Sequence, residues 1–99
     1  MLIDVREPNE LAETGVVPTS INIPLGQVVE KLSKDFSEDQ FLKLFNRKKP
    51  TADTEIIFMC KIGVRSHKAM EASRQLGYIK ARNYLGSWTE YAKNEGLAR

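Results

Sequence analysis

"IIFMCKIGVRSHKAMEASRQLG", residues 56–77, changes its hydrophobic rhythm once, at Cys60, and that change decides the fold. Ile56-Ile57-Phe58-Met59 is a continuous apolar run too short for a helix of its own, which is the pattern of a strand covered on both faces. Beyond the loop, Ala69, Ala72, Ser73 and Leu76 mark one face of a helix, expected from about Ser66, and Gly77 stands where a left-handed C-terminal cap is wanted. A strand feeding a helix through a short loop is the repeating unit of a parallel sheet.

The same alternation continues on both sides. Upstream, Leu2-Ile3-Asp4-Val5 suits a buried strand, broken by Arg6-Glu7-Pro8. Pro8 fits the first turn of a short helix carrying Glu10, Leu11 and Ala12, which Gly15 closes. "SINIPL" (20–25) reads as a second strand stopped by Pro24. Val28, Val29 and Leu32 have helical spacing, and Ser37 with Gln40 forms a capping box for a helix whose expected apolar face is Phe41, Leu42, Leu44 and Phe45. "NRKKPTADTE" (46–55) reads as a polar surface loop, its Arg47-Lys48-Lys49 run solvated. Downstream, "ARNYL" (81–85) offers a last strand and 87–94 a last helix. The expected fold is α/β, with a central, mainly parallel sheet and helices on both faces.

Composition narrows the function classes. A chain of 99 residues fits one core, and 41% hydrophobic with 28% charged residues is ordinary for a globular protein. No apolar stretch approaches the ~20 residues of a membrane helix. Fifteen Lys and Arg against thirteen Asp and Glu leave +2, too little to argue for a nucleic-acid partner. One cysteine makes neither an internal disulfide nor a multi-cysteine zinc site, so no metal or cofactor is expected, and an intracellular, reducing compartment is the simplest setting, cytoplasm or mitochondrion being left open.

That cysteine sits where ligands collect in such sheets, at the carboxyl end of a strand facing a helix N-terminus. The loop Lys61-Ile62-Gly63-Val64-Arg65 is short enough to wrap its amides around the sulfur. Such a cradle binds anions and favours thiolate over thiol, so a group with a free pKa of ~8.5 ionises substantially at neutral pH. Gly63 supplies backbone freedom, Arg65 a planar fork for an oxyanion, and Lys61 a mobile charge at the rim. An inert core cysteine needs neither a glycine nor two cations within five residues. His67, on the first turn of the helix, is read as solvated, although histidine elsewhere activates thiols.

The stretch Cys60-Lys61-Ile62-Gly63-Val64-Arg65-Ser66 resembles the C-x-x-G-x-R-[ST] active-site loop of rhodanese-family sulfurtransferases. "LIDVREPNEL" (2–11) is similar to the family's first motif, "INIPL" (21–25) to its second, and "LGY" (76–78) with "ARNYLGSWTEY" (81–91) to its C-terminal segment; the single-domain thiosulfate sulfurtransferase-like members, with their insertion before the catalytic strand, are most alike. The resemblance implies a three-layer rhodanese-like domain over 1–99 without the strand and helix that ordinarily precede the D-V-R strand. It implies Cys60 as nucleophile attacking thiosulfate, with a persulfide passed to cyanide or to a thiol such as glutathione or thioredoxin; separately, a monomer is expected. Lys61, Ile62, Gly63, Val64 and Arg65 would bind the donor, with Ser66 in support. Asp4 and Arg6 match the family's D-x-R pair and are read as a brace, while Trp88 is either a pocket aromatic or plain core. One departure stands out: "GVVPTS" (15–20) replaces the family's "GHIPGA", losing its histidine and its second glycine.

Two other classes compete. Cysteine phosphatases and arsenate reductases resemble this loop but place five residues between Cys and Arg, whereas here there are four, 61–64. A rhodanese-like docking module without turnover commonly loses the cysteine, which this chain keeps.

Overall fold

A computed structural model describes residues 1–97. Leu2–Asp4 is strand β1, Ile21–Asn22 β2, Ile56–Met59 β3 and Ala81–Asn83 β4. Among the described residues these form one sheet in the order β2-β1-β3-β4, every neighbouring pair parallel, with Ile3 opposite Ile21 and Phe58, and Ile57 opposite Arg82. The helices are α1 (Pro8–Thr14), α2 (Val28–Leu32), α3 (Glu38–Phe45), α4 (Val64–Gln75) and α5 (Ser87–Asn94), with a 3-10 turn at Leu25–Gln27 before α2. No helix among the described residues is long and apolar enough to cross a membrane.

The strand alternation divides the interior in two. Ile3, Val5, Ile56, Phe58 and Cys60 point to the larger core, shared with Val28, Leu32, Phe41 and Ala69. Met59, Trp88 and Ala92 make a smaller core, which Leu2, Val17, Tyr84 and Tyr91 flank. Helices therefore cover both faces of the sheet, α5 on the smaller side. Helix α4 lies close to its side because its buried positions are small, Ser66, Ala69 and Ser73.

Local signals read from the chain are realised at several ends. Pro8 opens α1, and the Ser37–Gln40 capping box closes with bonds of 3.1 and 2.9 Å. Gly77 takes the expected left-handed φ of +106° just past α4. Other expectations are corrected. Strand β2 spans only Ile21–Asn22 instead of 20–25, since Pro24 has no N–H to extend the ladder. Helix α4 begins at Val64, two residues before the expected start, because Gly63 turns the chain with φ +92°. Leu42, Leu44 and Leu76 are exposed. Phe41 and Phe45, one turn apart with ring centroids at 4.6 Å, account for the packing of α3 without the two leucines. Lys49 is not simply solvated: its ammonium donates to the carbonyls of Ser33 and Phe36, tying the 46–55 loop to the turn before α3.

The departure at 15–20 has a conformational cost. Thr19, within "GVVPTS", adopts φ +73°, a region unfavourable for a β-branched residue. Thr19→Gly is expected to stabilise the fold by about 1 kcal/mol, the relieved strain exceeding the entropy glycine loses on folding. A thermal melt should show a rise of roughly 4–8 °C for a domain of this size; an unchanged or lower midpoint would show that the turn holds threonine without strain.

Candidate active site

Cys60 directly follows β3 and is buried, with its sulfur turned into the loop that leads to α4. The Gly63 N–H donates to Sγ at 3.1 Å and the Ser66 hydroxyl lies 3.4 Å away. Burial pushes the thiol up. The Ser66 hydroxyl and the amides of Ser66, Gly63 and Ile62 outweigh burial and bring the Cys60 pKa down to about 7. Gly63 cannot carry a side chain there, because a Cβ would meet the carbonyl of Leu85, its carbon at 3.2 Å and its oxygen nearer still.

Three carbonyls of the loop are held from outside by the end of β4 and the first turn of α5. Cys60 O accepts from the Trp88 amide at 2.9 Å, and Lys61 O from the Thr89 amide at 3.1 Å and the Thr89 hydroxyl at 3.0 Å. Gly63 O accepts from Asn83 Nδ2 at 3.1 Å. The Cys60 amide donates to Ser87 Oγ, which in turn donates to Tyr84 O. Ser87 holds this position at φ +50°. Asn83, Ser87 and Thr89 carried no signal as site residues in the sequence, since their partners lie 20 to 28 positions away.

The Arg65 guanidinium has a partner within the protein. Its Nη1 and Nη2 grip Glu10 of α1 at 2.6 and 2.9 Å, so the planar fork is engaged by a carboxylate of the protein itself. The pair holds the Glu10 carboxyl at about 2, mainly through the hydrogen bond from Arg65, and raises Arg65. Glu10 had shown in the sequence only as a first-turn helix residue. The side chains of Lys61, Ile62 and Val64 are exposed at the loop's rim. His67 is exposed and pairs with Glu71 at 3.0 Å, one turn along α4.

Asp4 and Arg6 are both buried. Arg6 donates to both carboxylate oxygens of Asp4, to Thr14 Oγ1 and to Gly15 O. Its guanidinium stacks over Trp88, 4.7 Å from the ring centroid. The D-x-R pair and Trp88 are thus one unit joining the end of β1, the end of α1 and the start of α5. Trp88 is buried in the smaller core, 5.5 Å from the Tyr91 ring.

A sulfur held toward thiolate by loop amides and a hydroxyl, at the carboxyl edge of a parallel sheet, is placed to act as a nucleophile. The profile of the rhodanese-like domain family matches residues 1–94. The chain belongs to the rhodanese-like family. A rhodanese domain-containing protein of Drosophila melanogaster is 43% identical over 97% of this chain and 85% of its own. A mouse thiosulfate sulfurtransferase/rhodanese-like domain-containing protein is 41% identical over 96% of this chain, which spans only 59% of that relative. Human thiosulfate:glutathione sulfurtransferase is 35% identical over 95% of this chain and 80% of its own. In three dimensions, this rhodanese-like domain superposes on a human single-domain sulfurtransferase with a TM-score of 0.85 at 34% identity, covering 93% of this chain and 80% of the other.

Proposed function

We propose that this rhodanese-like domain is a thiosulfate sulfurtransferase working through a persulfide on Cys60. The observation that carries the reading is the Cys60 sulfur itself, hydrogen-bonded to the Gly63 amide and lowered to about 7. The Cys60 thiolate attacks the outer sulfur of thiosulfate. A new S–S bond forms, the bond to the sulfonate sulfur breaks, and sulfite leaves with the electron pair. A second thiolate then attacks the outer persulfide sulfur and departs with it, returning Cys60 to thiolate. The ring amides that stabilise the thiolate also stabilise the persulfide anion, one atom further out.

Lys61 at the rim supplies the positive charge that a dianionic donor meets, while the Arg65–Glu10 pair beside the sulfur is neutral overall. Because the Arg65 fork is engaged, the donor's oxygens are met by the loop amides and by charge, not by two parallel guanidinium bonds. The acceptor class is a thiol. The name of the human relative supports glutathione, and thioredoxin fits the same chemistry.

The reading is tested by the pH profile of thiosulfate turnover. The reactive form is the thiolate, so kcat/KM should be low in acid, half-maximal near the Cys60 value of about 7, and level above it. Turnover of p-nitrophenyl phosphate in its place would move the protein to the phosphatase class, and turnover of neither would leave a docking module.

A further inference from the structure

We propose that Thr89 is a positioning residue of the sulfur cradle: its hydroxyl, with its own amide, holds the Lys61 carbonyl outward and so turns the Ile62 N–H toward Sγ of Cys60. A trans peptide is planar, and its C=O and the following N–H point in opposite directions. Fixing Lys61 O therefore fixes the direction of the Ile62 amide. Lys61 O accepts two bonds, both from Thr89, at 3.1 Å from the amide and 3.0 Å from the hydroxyl. On the other side of that peptide, the Ile62 amide is one of the donors that lower the Cys60 thiol.

Two other carbonyls of the loop are braced by other groups. Cys60 O is held by the Trp88 amide, and Gly63 O by both Asn83 and the His67 amide of α4. The Lys61–Ile62 peptide has Thr89 for that task. A first-turn helix amide has no partner within its own helix, so the Thr89 N–H is free to reach out, and the hydroxyl doubles the grip at an exposed edge. Thr89 lies 28 residues from Lys61, and the link depends on the start of α5 lying against the loop.

The charged groups around the sulfur belong elsewhere. They are Arg65 of α4 with its partner Glu10 of α1, the Asp4–Arg6 pair at the end of β1, and Lys61 in the loop. Removing the Thr89 hydroxyl leaves all of them in place, so a change in thiol ionisation would report the peptide's orientation. The use of this cradle in catalysis rests on the sulfurtransferase reading; its geometry does not.

The test is the pH dependence of iodoacetamide alkylation of the full chain, in which Cys60 is the sole cysteine. In Thr89→Val, which keeps the shape without the donor, the alkylation midpoint should move up and the thiolate fraction at pH 7 fall about two- to threefold. Thr89→Ser, which keeps the hydroxyl, should match the wild type, with thermal melts of all three alike. If valine disturbs the start of α5, Thr89→Ala read in the same way takes its place. A valine or alanine variant with the wild-type midpoint, or a serine variant shifted equally, overturns the role of Thr89. Alkylation needs no sulfur donor. A wild-type protein inert toward thiosulfate would sink the sulfurtransferase reading while the shift still stood, and active variants without the shift would sink only the inference about Thr89.

Discussion

Wild-type protein treated with thiosulfate is expected to gain the mass of one sulfur atom, reversibly with dithiothreitol, while Cys60→Ser gains nothing and loses turnover by ~10³-fold or more. The size of the effect follows from the step lost. A serine hydroxyl at neutral pH is a far weaker nucleophile than a thiol already half ionised, so the step that forms the S–S bond is lost. Folding should be little changed, within about 1 kcal/mol, because a hydroxyl accepts the Gly63 amide as sulfur does and the site loses little volume. Intact-mass spectrometry settles the outcome. An unmodified wild type, or a serine variant that still takes up sulfur, would remove the persulfide from the mechanism.

Gly63→Ala should damage both fold and chemistry. The position combines φ +92° with a backbone carbonyl, that of Leu85, where the methyl group would have to go. A carbonyl tied into the chain yields much less readily than a side-chain tip. The left-handed strain and the enforced shift together should cost about 2–4 kcal/mol, seen as a fall of ten degrees or more in the melting midpoint. In the fraction that folds, the Gly63 N–H is displaced from Sγ, and losing one such donor typically costs ~10²-fold in rate. Gly77→Ala is the control. Its φ is +106°, yet a Cβ there meets nothing within 4 Å, so only the backbone strain, about 1 kcal/mol, should appear and turnover should stay. Equal melting points for the two alanine variants, with full turnover in both, would show that the Leu85 contact does not constrain the loop.

Much of the architecture was legible because it depends on neighbours along the chain. The unbroken apolar run at Ile56–Met59 meant a strand covered twice, and it lies in the sheet interior between β1 and β4. Ser37 with Gln40 meant a helix start, and Gly77 a helix stop. Failures came where one pattern had two readings. Leu42 and Leu44 lie between Phe41 and Phe45, and four apolar residues in five positions do not say which of them the core takes; the structure takes the two aromatics one turn apart.

The candidate site divides in the same way. Sequence by itself determined that Cys60 ends a buried strand, that Gly63 and a helix start follow, and that a ring of amides can close on the sulfur. These are consequences of residue order within a few positions, where turn chemistry and helix termini act. Tertiary structure alone decided that Arg65 spends its fork on Glu10, 55 residues away, that Arg6 lies over Trp88, and that Asn83, Ser87 and Thr89 hold the outside of the loop. Those pairings exist because a parallel sheet brings the carboxyl ends of its strands to one edge, where distant segments meet. A hydrogen bond reaches about 3 Å in space and carries no mark of its partner in the chain.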